Sequence, residues 1–244
     1  MPKISLAYTF YRSIWGGLDM LFPPNCGGCG KSGSRWCVEC QGLVKILNGN
    51  LCEVCGLPLH QAGICDECRA DRPHFRALRA WTVFDGPVKN ALHKLKYRRD
   101  MSMGDSLAAQ MVAFVRELNW PIDVINPIPL GKQRLRERGY NQVGMIAKPL
   151  ALALEVQYVS KGLIRCKETR SQVGLSKLER RENVKEVFQA GAGMNGKNIL
   201  VMDDVSTTGS TLSSGAVALY SAGAKNVYAL TVARALPHHG LQHA

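Results

Sequence analysis

Apolar and polar residues alternate with two different periods over the last two thirds of the chain. Four apolar runs have the length of strands: 78–84, 122–128, 199–202 and 227–232. Four runs with helical spacing follow them: 88–95, 107–118, 143–154 and 212–220. Short continuous apolar runs are typical of strands that are buried on both faces of a parallel sheet, with helices covering those faces. The pattern therefore predicts an α/β fold whose parallel sheet is flanked by helices.

One of these strands leads directly into acids, hydroxyls and a glycine. Asp203 and Asp204 follow the run 199–202, and a polar loop comes next: Ser206, Thr207, Thr208, Gly209, Ser210 and Thr211. Amides at a helix N-terminus bind phosphate. Carboxylates at the end of a strand accept hydrogen bonds from sugar hydroxyls or meet a hydrated Mg²⁺. The stretch predicts a site for a phosphorylated sugar, and the alternative is an ordinary strand-to-helix turn with Asp and Ser/Thr caps.

Eight of the nine cysteines form four CxxC pairs: Cys26/Cys29, Cys37/Cys40, Cys52/Cys55 and Cys65/Cys68. Two CxxC turns supply the four thiolates that tetrahedral Zn²⁺ requires, so four pairs predict two structural zinc sites. Pairing sequence neighbours gives two short zinc ribbons, although crossed pairing would satisfy the same rule. A disulfide framework is the alternative. Because the chain has no convincing signal peptide, we expect reduced thiols and a cytoplasmic protein.

The chain before Pro23 is apolar with helical spacing, which predicts an amphipathic helix. We expect one face to pack on the rest of the protein: Ala7, Tyr8, Tyr11, Ile14, Trp15, Leu18 and Phe22. A membrane-surface anchor is the alternative, whereas charged residues interrupt the run and argue against a membrane span. These patterns divide the chain into a helix (1–22), a double zinc-ribbon module (23–73) and an α/β domain (74–244).

The formal net charge of +12 predicts anionic partners, but it does not choose among phosphates, nucleic acid and a membrane surface. Basic residues cluster at 93–99 and at 132–138. The second cluster lies between a predicted strand and a helix, where arginines can clamp oxyanions. The first cluster either faces a ligand or is a solvated helix end. The segment 165–188 is either a lid over the site or a solvated helix with alternating charges.

Two resemblances narrow these expectations. The stretch 199–211 resembles the signature of type I phosphoribosyltransferases, which bind phosphoribosyl pyrophosphate (PRPP). The chain after residue 22 is also similar to the ComF family, both in its CxxC pairs and in several fragments: LKY at 95–97, PIPL at 127–130, RERGYNQ at 136–142, TRSQVGL at 169–175, and RENV at 181–184 with Phe188.

The resemblances imply a type I phosphoribosyltransferase-like domain that binds PRPP with Mg²⁺. Asp203 and Asp204 would face the ribose hydroxyls, and Thr207 to Thr211, next to Ser206, would wrap the 5′-phosphate. Further ligand-binding residues are implied: Arg134, Arg138, Asn141, Arg170 and Gln172. Asp203, Asp204 and Arg138 are the candidate catalytic residues.

The resemblance leaves three functions open. The first is a phosphoribosyltransferase whose nucleophile the sequence does not name. The second is a protein that binds single-stranded DNA and works with DNA-uptake or DNA-processing proteins, which is the role that the ComF resemblance implies. The third is a regulatory protein that binds PRPP without turning it over.

Overall fold

A computed structural model describes residues 6–166 and 187–236. Its strands are β1 (Leu78–Val83), β2 (Val124–Pro127), β3 (Gln157–Tyr158), β4 (Leu163–Arg165), β5 (Phe188–Ala190), β6 (Asn198–Ser206) and β7 (Asn226–Arg234). Five of them form a sheet in the order β1-β7-β6-β2-β3, in which every pair of neighbours is parallel. The antiparallel pair β4 and β5 stands apart from this sheet. The predicted α/β fold is confirmed.

The helices of the described residues are α1 (Leu6–Leu21), α2 (Val38–Gly42), α3 (Asp66–Ala70), α4 (Gly86–Tyr97), α5 (Ser102–Glu117), α6 (Lys132–Arg138), α7 (Gln142–Leu154) and α8 (Ser210–Ser221). α4 begins where the Asp85 side chain accepts a hydrogen bond from the backbone amide of Gly86 at 2.7 Å. The basic cluster at 132–138, which the sequence places between a strand and a helix, forms the two-turn helix α6. Lys, Gln, Arg and Leu are good helix formers, and Gly139 ends the helix in a left-handed conformation.

Both faces of the sheet are buried, as the continuous apolar runs predicted. Along β6, Leu200 and Met202 face a core cluster shared with α4, α5 and α7, while Ile199 and Val201 face a second cluster. The second cluster contains α8 and four cysteines of the zinc-ribbon module. Because strand side chains alternate between the two faces of the sheet, β6 lies between the two core clusters. Its carboxyl end also lies between them.

Strand β1 lies at the end of the sheet order, and the cysteine-rich module covers its outer edge. The amide of Leu78 donates to the Val54 carbonyl at 2.7 Å, and the amide of Val83 donates to the Lys45 carbonyl at 2.9 Å. Between them, the amide of Leu47 donates to the Trp81 carbonyl at 3.2 Å. The module therefore supplies backbone partners along the edge that β7 does not occupy.

Helix α1 packs on the protein through a narrower stripe than the one predicted. Tyr8 is buried and Trp15 is half-buried, and Asp19 forms an ion pair with Arg35 at 2.6 Å. Ile14 is exposed although it was expected to pack. Leu18, Phe22 and Ala7 are exposed as well. The helix is apolar around most of its circumference, and only one side can touch the body of the protein. No helix in the described ranges is both long and apolar enough to cross a membrane.

Candidate functional site

The polar loop predicted to bind phosphate joins β6 to α8. Gly209 caps α8 with a φ of +81°, and a Cβ there would lie 3.1 Å from the Leu78 side chain, so this position favours glycine. The hydroxyl-bearing residues on either side of it are exposed: Thr207, Thr208, Ser210 and Thr211. The Thr208 and Ser210 hydroxyls are hydrogen-bonded at 2.7 Å. The loop thus presents hydroxyls beside the N-terminus of a 12-residue helix.

Ser206 differs from its neighbours in this loop. Its side chain is buried, and its hydroxyl lies 3.2 Å from the Thr231 hydroxyl of β7. The structure therefore places Ser206 in the sheet, where it joins two strands, and does not bring its hydroxyl together with those of Thr207 and Thr208.

The two predicted acids lie close together but have different partners. Asp204 is buried, and its Oδ2 atom accepts hydrogen bonds from Gln142 Nε2 at 2.8 Å and from Lys96 Nζ at 3.0 Å. Asp203 is half-buried, and its Oδ1 atom accepts a hydrogen bond from the Asp204 amide at 2.8 Å. Burial, together with the Asp204 carboxylate, raises the pKa of Asp203 to about 7. Lys96 and Arg165 oppose this shift.

Three consecutive residues at the end of α4 contact either the acids or the end of α6 and the loop that follows it. Lys96 reaches Asp204, and the ring of Tyr97 lies 5.2 Å from the Arg138 guanidinium. The Leu95 carbonyl accepts a hydrogen bond from the Tyr140 hydroxyl. Lys96 of the basic cluster at 93–99 therefore lies at the acids, whereas Arg98 and Arg99 are exposed.

The further residues that the resemblance implies as ligand-binding differ in exposure and in hydrogen bonding. Arg134 is exposed and Arg138 is half-buried. Asn141 instead caps α7, since its Oδ1 atom accepts from the Val143 amide at 2.9 Å and its Nδ2 atom donates to the Ile128 carbonyl at 2.9 Å. Its side chain therefore holds the loop in place. Arg170, Gln172 and most of the predicted lid at 165–188 lie outside the described residues.

Sequence reasoning did not single out two residues of this site: Gln142, and Lys96, which it named only as part of the basic cluster at 93–99. Besides its bond to Asp204, Gln142 carries a buried Oε1 atom that has no hydrogen-bond partner. A buried amide oxygen is costly to leave unpaired, so it is a candidate for contact with a ligand. Both residues belong to fragments that carry the family resemblance, LKY and RERGYNQ, but only the folded chain brings them to Asp204.

The cysteines form two clusters, each made from neighbouring CxxC pairs. The first cluster is Cys26, Cys29, Cys37 and Cys40, and the second cluster is Cys52, Cys55, Cys65 and Cys68. In each cluster the sulfur atoms lie within 4.8 Å of one another. All nine cysteines lie in the described residues and are free thiols. The structure thus excludes the crossed pairing and supports structural zinc in place of disulfides.

The first cysteine of each cluster is predisposed to ionise. Burial acts to raise the pKa of Cys26, but the backbone amides of Cys29, Cys37 and Gly28 outweigh it and lower that pKa to about 6. Burial and backbone amides act in the same way on Cys52, whose pKa is also about 6. Burial raises the pKa of the last cysteine of each cluster, Cys40 and Cys68, so the thiols of one cluster differ in how readily they form the thiolate that binds zinc.

The two clusters contact different parts of the domain. At the first cluster, Lys94 Nζ of α4 donates to the Cys26 carbonyl at 2.6 Å, and Asn90 donates to the Gly28 carbonyl at 2.9 Å. At the second cluster, the buried Arg234 at the end of β7 donates to the Cys55 carbonyl. All four cysteines of the second cluster are buried, whereas Cys29 of the first is exposed.

Comparison with known proteins gives a consistent picture of these two parts. A family model described as "Double zinc ribbon domain" matches residues 17–69. DNA utilization protein YhgH of Salmonella typhimurium is 32% identical over 212 residues, covering 83% of this chain and 92% of that protein. Competence protein F of Haemophilus influenzae is 26% identical over 222 residues, covering 82% and 96%.

The solved structures that this chain resembles include phosphoribosyltransferases. Adenine phosphoribosyltransferase from Leishmania tarentolae shares 15% identity, covers 55% of this chain and 71% of that chain, and gives a TM-score of 0.35. This likeness concerns the fold, and nothing about activity follows from it.

Proposed function

Because the chain belongs to the ComF family, which links it to DNA uptake, we propose that it binds PRPP or a related phosphoribosyl ligand together with Mg²⁺. One observation carries the proposal. Two acids, Asp203 and Asp204, lie near the carboxyl end of β6, which is followed by an exposed hydroxyl loop and the N-terminus of α8. A phosphorylated sugar offers hydroxyls to acids and a phosphate to a helix N-terminus, so it matches both halves of this arrangement.

The roles of the individual residues follow from their contacts. Asp203 would accept hydrogen bonds from the ribose hydroxyls, while Lys96 and Gln142 hold Asp204 in place. Thr207, Thr208, Ser210 and Thr211 would surround the 5′-phosphate. Arg138, stacked on Tyr97, would meet the pyrophosphate, and the exposed Arg134 would add positive charge.

The donor set at this site also fits Mg²⁺. Carboxylate and amide oxygens are hard ligands. Asp203 accepts from the amide of Asp204, and Asp204 accepts from Gln142, whose Oε1 atom has no hydrogen-bond partner. When bound, Mg²⁺ would neutralise charge on a diphosphate. The protein would hold the ligand and orient it.

Calorimetric titration of the protein with PRPP and Mg²⁺ tests this assignment. Asp203→Asn combined with Asp204→Asn should weaken binding by at least about a hundredfold, because charged hydrogen bonds to the sugar are lost. Asp123→Asn is the matched control, because Asp123 accepts from the Asn198 amide at the opposite end of β6. Unchanged affinity in the double variant, with a normal melting temperature, would contradict the assignment.

The pH dependence of binding provides a second test. Asp203, whose pKa is about 7, must be ionised to accept from two hydroxyls, so affinity should rise between about pH 6 and about pH 8. The ligand phosphate ionises in the same range, so Asp203→Asn serves as the reference. The variant should show a flatter profile, and identical profiles would exclude a role for Asp203 ionisation. Charged groups facing it are Asp204, Lys96 and Arg165.

Binding of PRPP and transfer of its phosphoribosyl group are separate claims, and the geometry of the site supports binding more strongly than transfer. Among the residues of the site that the structure describes, none is an evident partner for a particular nucleophile. Release of pyrophosphate from PRPP, measured with a panel of bases and amines, would establish a phosphoribosyltransferase. If PRPP binds but no acceptor releases pyrophosphate, the protein is a non-catalytic PRPP sensor.

A second candidate function is direct binding of single-stranded DNA, which one surface favours. Helix α6 carries four basic side chains, and the last of them lies over the exposed ring of Tyr97: Lys132, Arg134, Arg136 and Arg138. Positive charge and exposed aromatic rings together suit a single strand. Affinity for an oligonucleotide should fall steeply with salt, and Arg134→Gln with Arg136→Gln should reduce that slope by about two. The control, Lys197→Gln with Lys225→Gln, neutralises two charges at the other end of the sheet.

A further inference from the structure

A cleft of about 690 Å³ lies at the end of the sheet where β7 begins. It is lined by Asn226 and Tyr228 of β7, by the segment 72–77 that precedes β1, and by Trp120, which follows α5. Its volume is that of a small-molecule pocket. The acids of the site proposed for the phosphoribosyl ligand lie near the carboxyl end of β6, which is parallel to β7. The two sites are therefore at opposite ends of the sheet.

The segment before β1 contributes positive charge to the cleft. Arg72, His74 and Arg76 line it, and all three residues are exposed, so a ligand can reach them. The Arg76 Nη1 atom donates to the Asn226 Oδ1 atom at 3.4 Å, which places that guanidinium at the start of β7. Among the described residues that line the cleft, Glu53 is the one acidic side chain. Because guanidinium groups bind phosphate through paired hydrogen bonds, this part of the cleft suits a phosphorylated ligand.

An aromatic stack lies beside this positive charge. The ring centroids of Trp120 and Tyr228 are 4.7 Å apart, and the angle between the two ring planes is 20°. Tyr228 is buried whereas Trp120 is half-buried, so the indole is the more accessible ring of the pair. Tyr228 and Asn226 are two residues apart on β7, so their side chains leave the same face of the strand about 7 Å apart. One of these neighbouring side chains therefore holds the Arg76 guanidinium, and the other holds the indole.

We propose that this cleft binds a nucleoside 5′-phosphate, with the base against the Trp120 indole and the phosphate at Arg72 and Arg76. Nucleobases stack on aromatic side chains, and a nucleotide carries a base and a phosphate on one ribose, so it can meet both parts of the cleft. An oligonucleotide offers the same chemistry, but each of its internal phosphates carries a single charge. A terminal phosphate carries nearly two charges, so a pair of arginines favours the free nucleotide. The proposal does not depend on the binding of PRPP.

The first experiment is a calorimetric titration of the full-length, zinc-loaded protein with AMP, adenosine and ribose 5-phosphate. Adenosine lacks the phosphate, and ribose 5-phosphate lacks the base. The titrations are repeated with Asp203→Asn, Asp204→Asn, so that binding at the phosphoribosyl site does not contribute. In that variant we expect AMP to bind at least about tenfold tighter than either partial ligand, because each group adds its own contacts. Equal affinity for the three ligands, or no binding of AMP to the variant, would overturn the proposal. So would binding of a 12-mer of dA with a 5′-hydroxyl end but not of AMP.

A second experiment assigns AMP to the cleft through its charges, with and without the substitutions at the acids. Arg72→Gln with Arg76→Gln should weaken AMP binding at least about tenfold, because the phosphate loses its charged partners. The matched control is Lys89→Gln with Lys148→Gln, which removes the same charge from two exposed residues outside the cleft. Glu53→Gln should act in the opposite direction and tighten AMP binding about twofold, because it removes a repelling charge at an exposed position. If AMP binds the arginine variant as tightly as the lysine variant, the cleft is not its site.

A third experiment tests the aromatic contact. Trp120→Leu should weaken AMP binding about tenfold and leave ribose 5-phosphate unaffected, and Trp120→Phe should lie between Trp120→Leu and the unsubstituted protein. Trp120 packs on the core, so zinc content and melting temperature establish that each variant is folded, and Trp120→Phe decides the question if Trp120→Leu is not. Equal weakening of both ligands, or no weakening of AMP, would show that the base does not stack on the indole and would overturn the proposal.

Titration with PRPP separates this proposal from the phosphoribosyl assignment. We expect Arg72→Gln with Arg76→Gln to keep its affinity for PRPP while it loses AMP, and Asp203→Asn, Asp204→Asn to show the reverse. If the unsubstituted protein binds AMP through the cleft but binds no PRPP, the phosphoribosyl assignment fails and the nucleotide cleft stands. If both variants lose AMP and PRPP together, the two ligands share one site and the separate cleft is overturned.

Discussion

The two cysteine clusters share one ligand pattern but occupy different environments. In the second cluster all four cysteines are buried in a core cluster together with Leu78 of β1 and α8. The first cluster touches α4 through two side-chain hydrogen bonds, and its Cys29 is exposed. The same zinc motif is thus wholly buried at one position, whereas at the other Cys26 and Cys40 are buried and Cys29 is exposed. The difference comes from the surroundings of the clusters, since their ligands are identical.

The largest expected contrast is between Cys52→Ser and Cys29→Ser. Cys52→Ser should remove zinc from a buried cluster and destabilise the protein by about 3 to 5 kcal/mol, or prevent folding. Cys29→Ser should remove one zinc ion but cost only about 1 to 2 kcal/mol, because the Cys29 side chain is exposed. Elemental analysis and thermal unfolding measure both effects. Equal destabilisation would show that the two clusters contribute alike, and retention of both zinc ions in Cys52→Ser would refute that ligand.

A smaller contrast is expected at the glycine that follows a CxxC pair in each cluster. Gly56 and Gly30 both have positive φ, +68° and +84°. A Cβ at Gly56 would lie 2.6 Å from the Leu78 carbonyl oxygen, whereas a Cβ at Gly30 meets nothing within 4 Å. Gly56→Ala should therefore cost about 3 kcal/mol, from backbone strain plus a clash, and Gly30→Ala about 1 kcal/mol from strain alone.

Urea unfolding of the two alanine variants measures this difference directly. Each variant serves as the other's control, because the substitution and the sign of φ are the same. If Gly30→Ala lowered the free energy of unfolding as much as Gly56→Ala does, the close approach of the second cluster to β1 would not be the cause of the destabilisation.

The smallest contrast concerns the cationic side chains that donate hydrogen bonds to the backbone carbonyls of cysteines. Arg234→Gln removes the buried donor to the Cys55 carbonyl and should cost about 1 to 3 kcal/mol, because that carbonyl is left unpaired. Lys94→Gln removes the donor to the Cys26 carbonyl and should cost about 0.5 to 1 kcal/mol, because Lys94 is half-exposed. Melting temperatures in the reverse order would contradict the difference in burial.

Much of the fold was predictable because its elements are local patterns. The apolar run before Asp203 became a strand buried on both faces, and the CxxC pairs combined with their sequence neighbours. Partners far apart in sequence were not predictable. The contact of Lys96 with Asp204 spans more than one hundred positions and depends on how α4 crosses the sheet.

Two further features that the sequence did not predict, the burial of Ser206 and the packing side of α1, have local causes. Ser206 sits among exposed hydroxyls in the sequence, yet strand alternation turns it into the sheet toward Thr231. Helix α1 is apolar on most sides, so its sequence could not show which side packs. In the structure Tyr8 is buried, while Ile14 stays exposed.

The hydrogen bonds from the cysteine-rich module to β1 bear on how the protein behaves when zinc is removed. An uncovered edge strand offers its amides and carbonyls to any other strand in solution. The segment around Lys45 to Leu47 occupies that edge and lies between the two clusters in the chain. Chelation should therefore cause edge-to-edge aggregation, visible as rising light scattering before the α/β domain loses its helices. In this protein zinc would prevent self-association as well as stabilise the fold.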